Sequence, residues 1–234
     1  LADLARRRGI GCHVDACLGG FVFPFMAELG ETTPAFDFDV PGVGSITVDL
    51  HKYAFAAKGA SVTLYREPEV FAHQWFQTEQ WTSGSFASAH VTGTRPGGAI
   101  GAAWAAIRSL GRAGYRDIAA TVMETTRRLR RGIEAIDGLR LLGEPDMSVF
   151  AFTSERAAVA HVVDRMAARR WRLTRQANPP AVPMIITPRH AGIVAPFLSD
   201  LEASVAEAAA MGDNGADVAP VAAYGLPTGG IGDG

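Results

Sequence analysis

The sequence predicts an α/β protein in which a larger part is followed by a smaller α+β part. Short β-branched runs alternate with helical patterns up to about residue 110, and a long segment of helical periodicity begins near Gly114. After that segment, strand-like runs and helical patterns alternate again, as in an antiparallel α+β unit. The chain has 234 residues, 48% of them hydrophobic, and is long enough to bury a sizeable core.

Glycine and proline punctuate the first part. Gly9-Ile10-Gly11 ends an opening helical pattern, and the turn Pro41-Gly42-Val43-Gly44 precedes a β-branched run. Residues 71–89 are rich in aromatic residues, Ser and Gly without a regular period, so we predict an irregular loop there. The other elements predicted for this part are a helix over 1–8, a buried strand over 12–16, an apolar stretch over 21–29, strands over 45–49 and 60–65, and a helix of small residues over 99–110.

The second part begins with one long helix, because the apolar positions after Gly114 recur at helical spacing as far as Ile136. We place Pro183 at the start of a strand, where its missing N–H does least harm to a sheet. The remaining predicted elements are strands over 139–142 and 148–152, a helix over 157–170, strands over 171–173 and 184–187, and a helix over 194–211.

Charge and hydropathy give no sign of a nucleic-acid or membrane partner. The 22 Lys and Arg against 24 Asp and Glu leave a net charge of −2, without a basic surplus. The four arginines between residues 127 and 131 fall on a helical pattern, which predicts a solvated helix face. No apolar run reaches the roughly 18 residues that span a bilayer, and no run resembles a signal peptide, so no membrane segment is expected.

The two cysteines, Cys12 and Cys17, are too few for a disulfide framework. Their number suits a reducing compartment, and we expect a cytoplasmic protein. A metal site is not expected, because Cys12 and His13 point to opposite faces of a strand and no further ligand pair follows.

Two predicted strands end in side chains of opposite charge. The run over 45–49 leads into Asp49-Leu50-His51-Lys52, and the short strand upstream ends in Asp15. Burial disfavours a lysine's charged form, so Lys52 is either a satisfied structural lysine or a reactive amine. A strand-end lysine with a strand-end aspartate is the pair that a pyridoxal-phosphate site needs. The amine bonds to the cofactor, and the carboxylate keeps its ring nitrogen protonated so that the ring accepts electrons.

Further motifs strengthen that hypothesis. The segment from His13 to Phe21 reads His-Val-Asp-Ala-Cys-Leu-Gly-Gly-Phe, and Asp49-Leu50-His51-Lys52 follows it. Phe36-Asp37-Phe38, Lys58-Gly59-Ala60-Ser61 and Gly93-Thr94-Arg95-Pro96-Gly97-Gly98 complete a set that covers most of the chain. Together these motifs resemble the group II pyridoxal-phosphate-dependent decarboxylase family, and within it most of all the branch of sphingosine-1-phosphate lyases.

The resemblance implies an aspartate-aminotransferase-like fold, the fold type I of PLP-dependent transferases, with pyridoxal 5'-phosphate as the cofactor. Residues 1–112 are then expected to be the C-terminal part of the PLP-binding large domain, 113–211 a small C-terminal α+β domain, and 212–234 a Gly-rich tail. The family's N-terminal half, which supplies the other wall of the cofactor pocket, is expected to lie outside this sequence. A homodimer with cofactor sites at its interface is also implied.

The resemblance implies a role for each matching residue. Lys52 is similar to the family's Schiff-base lysine and Asp15 to the partner of the pyridinium nitrogen, with Ala16 under the ring. Each residue also has an ordinary interpretation: Asp15 as a strand-end cap, His51 as a core histidine, Lys58 as a solvated loop lysine. The other implied roles are cofactor-phosphate binding by His51 with Asp49 beside it, contact with the neighbouring subunit's cofactor phosphate by Gly93 and Thr94, and substrate-phosphate binding by Lys58.

Two reactions fit the implied site. A lyase would cleave the Cα–Cβ bond of a phosphorylated long-chain amino alcohol to a fatty aldehyde and phosphoethanolamine, whereas a decarboxylase would remove the carboxylate of an amino acid. Lys52 and Asp15 serve both, but Lys58 offers an extra cationic donor that suits a phosphorylated amine substrate. An incomplete, inactive chain and an aminotransferase or cysteine-desulfurase-like enzyme also fit parts of the pattern. The segment Thr94-Arg95-Pro96-Gly97-Gly98 favours the lyase branch.

Overall fold

A computed structural model describes residues 1–211, and the predicted tail over 212–234 lies outside the described residues. The chain divides into two compact units, Leu1–Ala119 and Ala120–Gly234. The domain boundary expected after residue 112 falls a few residues before this division. Each unit has sheet strands of its own.

A three-stranded sheet forms the centre of the first unit. Strand β1 (His13–Asp15) runs parallel to β2 (Ser45–Asp49), and β2 pairs antiparallel with β3 (Ser61–Tyr65). All three strands predicted for this region are confirmed. The accompanying helical elements are α1 (Ala2–Arg8), a short 3₁₀ helix (Gly19–Phe21) and α2 (Phe23–Glu28).

The two faces of this sheet differ in polarity, because successive side chains of a strand point in opposite directions. Val14, Ile46 and Val48 lie on one face and belong to an apolar cluster that also contains Ala16. The side chains on the other face are all polar, namely His13, Asp15, Ser45, Thr47, Asp49, Ser61, Thr63 and Tyr65. The two carboxylates of the predicted site therefore share the polar face.

The irregular loop predicted for residues 71–89 is wrong, because this region folds into a short helix and a β-hairpin. Across the hairpin, the ring of Phe86 lies 6.3 Å from that of Phe76 and 5.1 Å from that of Trp81. Both strands are exposed along most of their length, so they lack the apolar–polar alternation that marks a half-buried strand. The elements are α3 (Pro68–Ala72), β4 (Phe76–Trp81) and β5 (Gly84–Ser88).

Helix α4 (Gly97–Ala135) is interrupted at Gly111, whose φ of 59° and ψ of −176° are not helical. Glycine adopts a positive φ at little cost, whereas a side chain would be strained there. The interruption confirms the two predicted helical segments, one of small residues before it and one of longer apolar periodicity after it.

Up to residue 211, the second unit contains four strands and two α-helices beyond α4. They are β6 (Leu139–Leu142), β7 (Val149–Ser154), α5 (Val159–Ala168), β8 (Gln176–Ala177), β9 (Pro180–Ile185) and α6 (Val194–Ala210), with a 3₁₀ helix at Pro188–Ile193. The strands are antiparallel in the order β6–β7–β9–β8, which confirms the predicted α+β type. Phe152, Met166 and Leu201 are fully buried in one apolar cluster of this unit.

The strand predicted over residues 171–173 is wrong. The backbone N–H of Trp171 instead donates to the carbonyl of Met166 at 3.0 Å, just after α5. Its indole N–H donates to Asp200 at 2.7 Å, and its ring packs edge-on against Phe197 at 5.2 Å. Anchoring of this side chain decides the local backbone, which a short apolar run cannot reveal.

Pro183 lies inside β9 and not at its start, which corrects the prediction. It stands opposite Ala151 of β7. On the other side of β9, β8 pairs only with Pro180 and Ala181, so Pro183 lies where that side has no strand partner. A residue without an N–H is tolerated at such a position because no ladder bond is lost there.

The arginine cluster lies mainly on an exposed face of α4, as predicted: Arg127, Arg128 and Arg131 are exposed. Arg130 is half-buried and donates to the carbonyl of Pro145 at 3.3 Å. Within residues 1–211, no helix combines the length and the apolar character of a membrane span.

Candidate active site

The carboxyl ends of β1 and β2 lie at the same edge of the first sheet because the two strands are parallel and adjacent. Asp15, the last residue of β1, is in register with Thr47, and the turn that begins after Asp49 carries Lys52. Ligands of α/β proteins bind at this kind of edge. Two separate strand ends are thereby brought into one cluster.

The amine of Lys52 is held by two neighbours. Its Nζ lies 2.9 Å from Asp49 Oδ2 and donates to Cys17 Sγ at 2.9 Å. The hydrogen bonds to Cys17 and Asp49 raise the pKa of the Lys52 amine and outweigh the opposing effect of burial. Of the two interpretations that the sequence left open, a satisfied lysine and a reactive amine, the first describes this state: Lys52 is a partnered ammonium, and with 34% of its side chain exposed it can still be reached by solutes.

Asp49 is the carboxylate that organises this cluster. Its Oδ1 accepts a hydrogen bond from the Ser61 hydroxyl, and its Oδ2 faces Lys52 and, at 3.7 Å, His51 Nε2. Burial would raise the pKa of Asp49, but the hydrogen bonds from Ser61 and Lys52 hold it below its ordinary value. His51 Nδ1 lies 3.1 Å from the carbonyl oxygen of Ala60, which can only accept, so this nitrogen carries the proton.

Asp15 is exposed and kept ionised by its local turn. The thiol and the backbone N–H of Cys17 lower the pKa of Asp15, the N–H donating to Oδ1 at 3.0 Å. This bond closes a local turn and is not a helix cap, because the N-cap residue of the 3₁₀ helix that follows is Leu18, without a side-chain bond. Ala16, next to it, is 5% exposed, and its N–H donates to the Thr47 carbonyl at 2.9 Å.

Cys17 also belongs to the cluster, although the sequence motifs alone do not identify it as a site residue. Its thiol contacts Lys52, its backbone N–H binds Asp15, and its carbonyl accepts from the N–H of Asp49 at 3.4 Å. Its position two residues after Asp15 is the signal that could have pointed to it.

In the described part of the chain, no three His, Cys, Asp or Glu side chains form a group that could hold a metal ion.

His13 shares the polar face with Asp15. Its Nδ1 lies 2.8 Å from the hydroxyl of Ser45, and its Nε2 lies 3.1 Å from that of Thr47. Both ring nitrogens are therefore engaged by hydroxyl groups of β2. This arrangement fits an ordinary strand histidine, although its ring is exposed and not packed in the core.

The structure places the remaining predicted residues elsewhere in the first unit. Lys58 is exposed, next to Gly59 with its φ of 110°. Gly93 and Thr94 line a pocket of about 530 Å³ beside the β4–β5 hairpin, together with aromatic residues such as Trp75. Among residues 1–211, the cluster thus consists of Asp15, Cys17, Asp49, His51 and Lys52, without Lys58, Gly93 or Thr94.

The chemistry of this cluster fits pyridoxal phosphate. The cofactor requires a reachable amine, which Lys52 offers, and a carboxylate that stays ionised beside its ring nitrogen, which Asp15 offers. The small buried side chain of Ala16 leaves room beside them. The fold of this chain thus brings together an amine and a carboxylate whose chemistry suits the cofactor.

Comparisons with known proteins agree with the choice of this cofactor. Sphingosine-1-phosphate lyase of Oryza sativa is 44% identical over 205 residues, and that of Arabidopsis thaliana 42%. In both cases the match covers 88% of this chain and 38% of the relative. The chain therefore spans well under half the length of these two relatives.

A solved structure gives the same result. The sphingosine-1-phosphate lyase of Burkholderia pseudomallei superposes with a TM-score of 0.84 at 39% identity, over 90% of this chain and 48% of that one. The fold is accordingly the type I fold of PLP-dependent enzymes, as the sequence predicted. The model of the family described as "Pyridoxal-dependent decarboxylase conserved domain" matches residues 1–155, more than half of the chain. The chain belongs to this family of pyridoxal-phosphate-dependent lyases.

Proposed function

We propose that this chain carries the lysine-bearing half of the active site of a carbon–carbon lyase. Its substrate would be a phosphorylated long-chain amino alcohol of the sphingosine-1-phosphate type, cleaved to a fatty aldehyde and phosphoethanolamine. The observation that carries the proposal is the position of the Lys52 amine, which lies 2.9 Å from both Asp49 and Cys17. This amine is at the edge of the sheet where β1 ends with Asp15. The identity of 44% with a plant lyase supports the choice of reaction.

The residues of the cluster divide the work between them. Lys52 would hold the cofactor through its amine, Asp15 would face the ring nitrogen, and His51 with Ala16 would line the same site. When bound, pyridoxal phosphate supplies an electron-accepting ring for the pair released from the substrate's α-carbon. The lowered pKa of Asp15 keeps its carboxylate charged, as a partner for a protonated nitrogen must be.

Asp49 is placed to hold and orient the amine of Lys52. A protonated amine is not a nucleophile, so Lys52 must release a proton before it can bond to a carbonyl. Asp49 Oδ2 lies 2.9 Å from Nζ of Lys52 and 3.7 Å from Nε2 of His51. Because the ion pair with Asp49 itself favours the ammonium, Lys52 would release this proton to solvent, which reaches its partly exposed side chain, and Asp49 would stay charged.

Recognition of the substrate phosphate falls to residues outside the cluster in this proposal. Lys58 is an exposed cation on the loop that follows Lys52, and charge-assisted hydrogen bonds to phosphate are strong. We assign to Gly93 and Thr94 a contact with the cofactor phosphate of a neighbouring subunit. Their position beside the exposed hairpin, outside the cluster, supports an intersubunit role.

A homodimer is part of the same proposal. Ile100, Trp104 and Ile107 lie on one face of α4 and are 63%, 67% and 36% exposed. Side chains at this spacing form an apolar stripe, and such stripes are usually covered. A second copy of the chain would cover the stripe, and analytical ultracentrifugation of the full-length protein tests this.

The proposal includes a place in sphingolipid breakdown and a cytoplasmic location. Both cysteines are free, and the thiol of Cys17 is engaged with Lys52. Thiols persist in reducing compartments, which supports this location. Localisation of the full-length protein by fluorescence microscopy tests it.

An amino acid decarboxylase is the second candidate, favoured by the name of the family whose model matches. The experiment that separates the candidates supplies the full-length protein, loaded with pyridoxal phosphate, with either phosphorylated sphingoid base or a panel of amino acids. Release of a long-chain aldehyde from the first supports the lyase. Release of carbon dioxide from the second, with no aldehyde from the first, would overturn the lyase in favour of the decarboxylase.

A further inference from the structure

A buried hydrogen bond connects α4 with the turn that carries Lys52. The hydroxyl of Tyr115 donates to the carbonyl oxygen of Ala54 at 2.8 Å. Tyr115 is 3% exposed and Ala54 is 0% exposed, so water cannot replace this bond. A buried carbonyl without a partner is unfavourable, and the bond therefore fixes where the turn lies.

The turn next to this bond is strained. Phe55 has a φ of 57°, in the left-handed region that a bulky side chain rarely adopts. Two backbone bonds close the turn, from Phe55 N–H to the Lys52 carbonyl at 3.1 Å and from Ala56 N–H to the Leu50 carbonyl at 3.0 Å. A strained residue persists only where its surroundings hold it, and the anchored Ala54 is its immediate neighbour.

The ring of Tyr115 contacts the other loop of the site as well. It lies 5.4 Å from the ring of Phe21 and 5.5 Å, nearly parallel, from that of Phe25. Phe21 ends the 3₁₀ helix that follows the Asp15 loop. Tyr115 thus touches the chain downstream of both strand ends that form the cluster.

An ion pair also links this part of α4 with α2. Arg112, just after the interruption at Gly111, pairs with Glu28 of α2 at 2.9 Å. Arg112 and Tyr115 are three positions apart, so both face α2. Burial raises the pKa of Tyr115, and its hydroxyl therefore remains a donor throughout the neutral and mildly alkaline range.

We propose that Tyr115 is a positioning residue, which sets the distance between the Lys52 amine and Asp15 by tying their two loops together. The inference rests on the proposed role of Lys52 as the amine that bonds to the cofactor. Tyr115 acts through the Ala54 carbonyl and through its ring contacts with Phe21 and Phe25.

The test replaces Tyr115→Phe in the full-length protein, which removes the hydroxyl and keeps the ring. Without cofactor, the amides of Phe55 and Ala56 are expected to exchange with solvent about tenfold faster, because the turn loses its anchor. With pyridoxal phosphate bound, kcat is expected to fall about tenfold while KM changes less than about twofold. The pH midpoint of the visible absorbance band is expected to move by about half a unit, because the surroundings of Lys52 change.

The matched control is Tyr65→Phe, which removes another tyrosine hydroxyl bond of the first unit, the one to Gln74. It is expected to leave the amide exchange rates of Phe55 and Ala56, kcat and the pH midpoint of the absorbance band unchanged. Phe25→Leu tests the ring contacts of Tyr115, because it keeps the Tyr115 hydroxyl and removes the ring that stacks on the Tyr115 ring. It is expected to move the midpoint in the same direction by a smaller amount.

A second change tests the route through the turn. Adding Phe55→Gly to Tyr115→Phe removes the strain at φ 57°, and the midpoint is expected to return at least half-way to the parent value. An unchanged midpoint and kcat in both Tyr115→Phe and Phe25→Leu would overturn the inference, even if both variants lose stability. If the parent itself shows no band that depends on Lys52, the proposed function fails first, and the Lys52→Ala variant makes that distinction.

Discussion

The two units differ in what they bury. The second unit gathers its apolar side chains into one cluster between its sheet and helices, with Phe152, Met166 and Leu201 almost wholly shielded from water. The first unit presents a polar sheet face and most of the exposed large hydrophobic side chains, including those of Trp81 and Trp104. The second unit therefore encloses an apolar core of its own, whereas the first leaves polar and apolar side chains exposed, which fits the cofactor site and the subunit interface proposed for it.

Lys52 gives the largest expected effect, and it concerns chemistry and not stability. Lys52→Ala should lower activity by more than about a thousandfold and abolish the visible absorbance of bound pyridoxal phosphate, because no other amine takes its place in the cluster. Absorbance spectra and steady-state kinetics measure this. Lys52→Arg is the matched control, because it keeps the positive charge beside Asp49 and should be equally inactive. Retention of the band in Lys52→Ala would remove Lys52 from its role.

Leu201 tests how much the buried core stabilises the second unit. Leu201→Ala should destabilise this unit by about 2–5 kcal/mol, because it leaves a cavity where the side chain is 0% exposed. Denaturant unfolding measures the change, and Ile185→Ala, at 51% exposed in the same unit, should change stability by less than about 1 kcal/mol. Equal losses in both variants would contradict a self-contained core.

Lys58 allows substrate binding to be separated from cofactor binding within the first unit. Lys58→Ala should raise KM for a phosphorylated substrate by about 10–100-fold, because a charge-assisted hydrogen bond to phosphate is lost. The cofactor band should stay as in the parent, in contrast to Lys52→Ala. Arg95→Ala is a useful comparison, because Arg95 is an exposed cation for which no substrate role is proposed. A KM that remains constant in Lys58→Ala would argue against the phosphate contact.

Asp49 gives the smallest expected effect, on acid stability. Its pKa is lowered in the folded chain, so its stabilisation is complete above its unfolded value of 3.8 and is lost as the pH falls through the lower folded value. Asp49→Asn should remove this contribution and make the acid unfolding curve of the first unit less steep below about pH 4. Circular dichroism between pH 2 and about pH 6 measures it. An unchanged acid transition would mean that Asp49 is not stabilised in its charged form.

Periodicity and turn residues predicted most of the fold, and they failed where burial does not alternate. The strand over 45–49 was predicted with its true ends because its apolar residues face one side. The β4–β5 hairpin was missed because both of its faces are exposed. The short run at Trp171 misled the prediction because its side-chain bond to Asp200, far along the chain, decides its conformation.

The sequence by itself determined the family, the cofactor and the two strand ends that carry Asp15 and Lys52. The family follows from the resemblance of its motifs, and the cofactor and the strand ends from residue types at a spacing that local chain geometry preserves. The tertiary structure alone decided the state of Lys52: its ammonium is stabilised by Asp49 and Cys17, whereas the sequence left open whether this lysine is satisfied or reactive. It also placed Tyr115 against Ala54, sixty-one positions away, a contact that no local pattern encodes because it depends on how α4 packs.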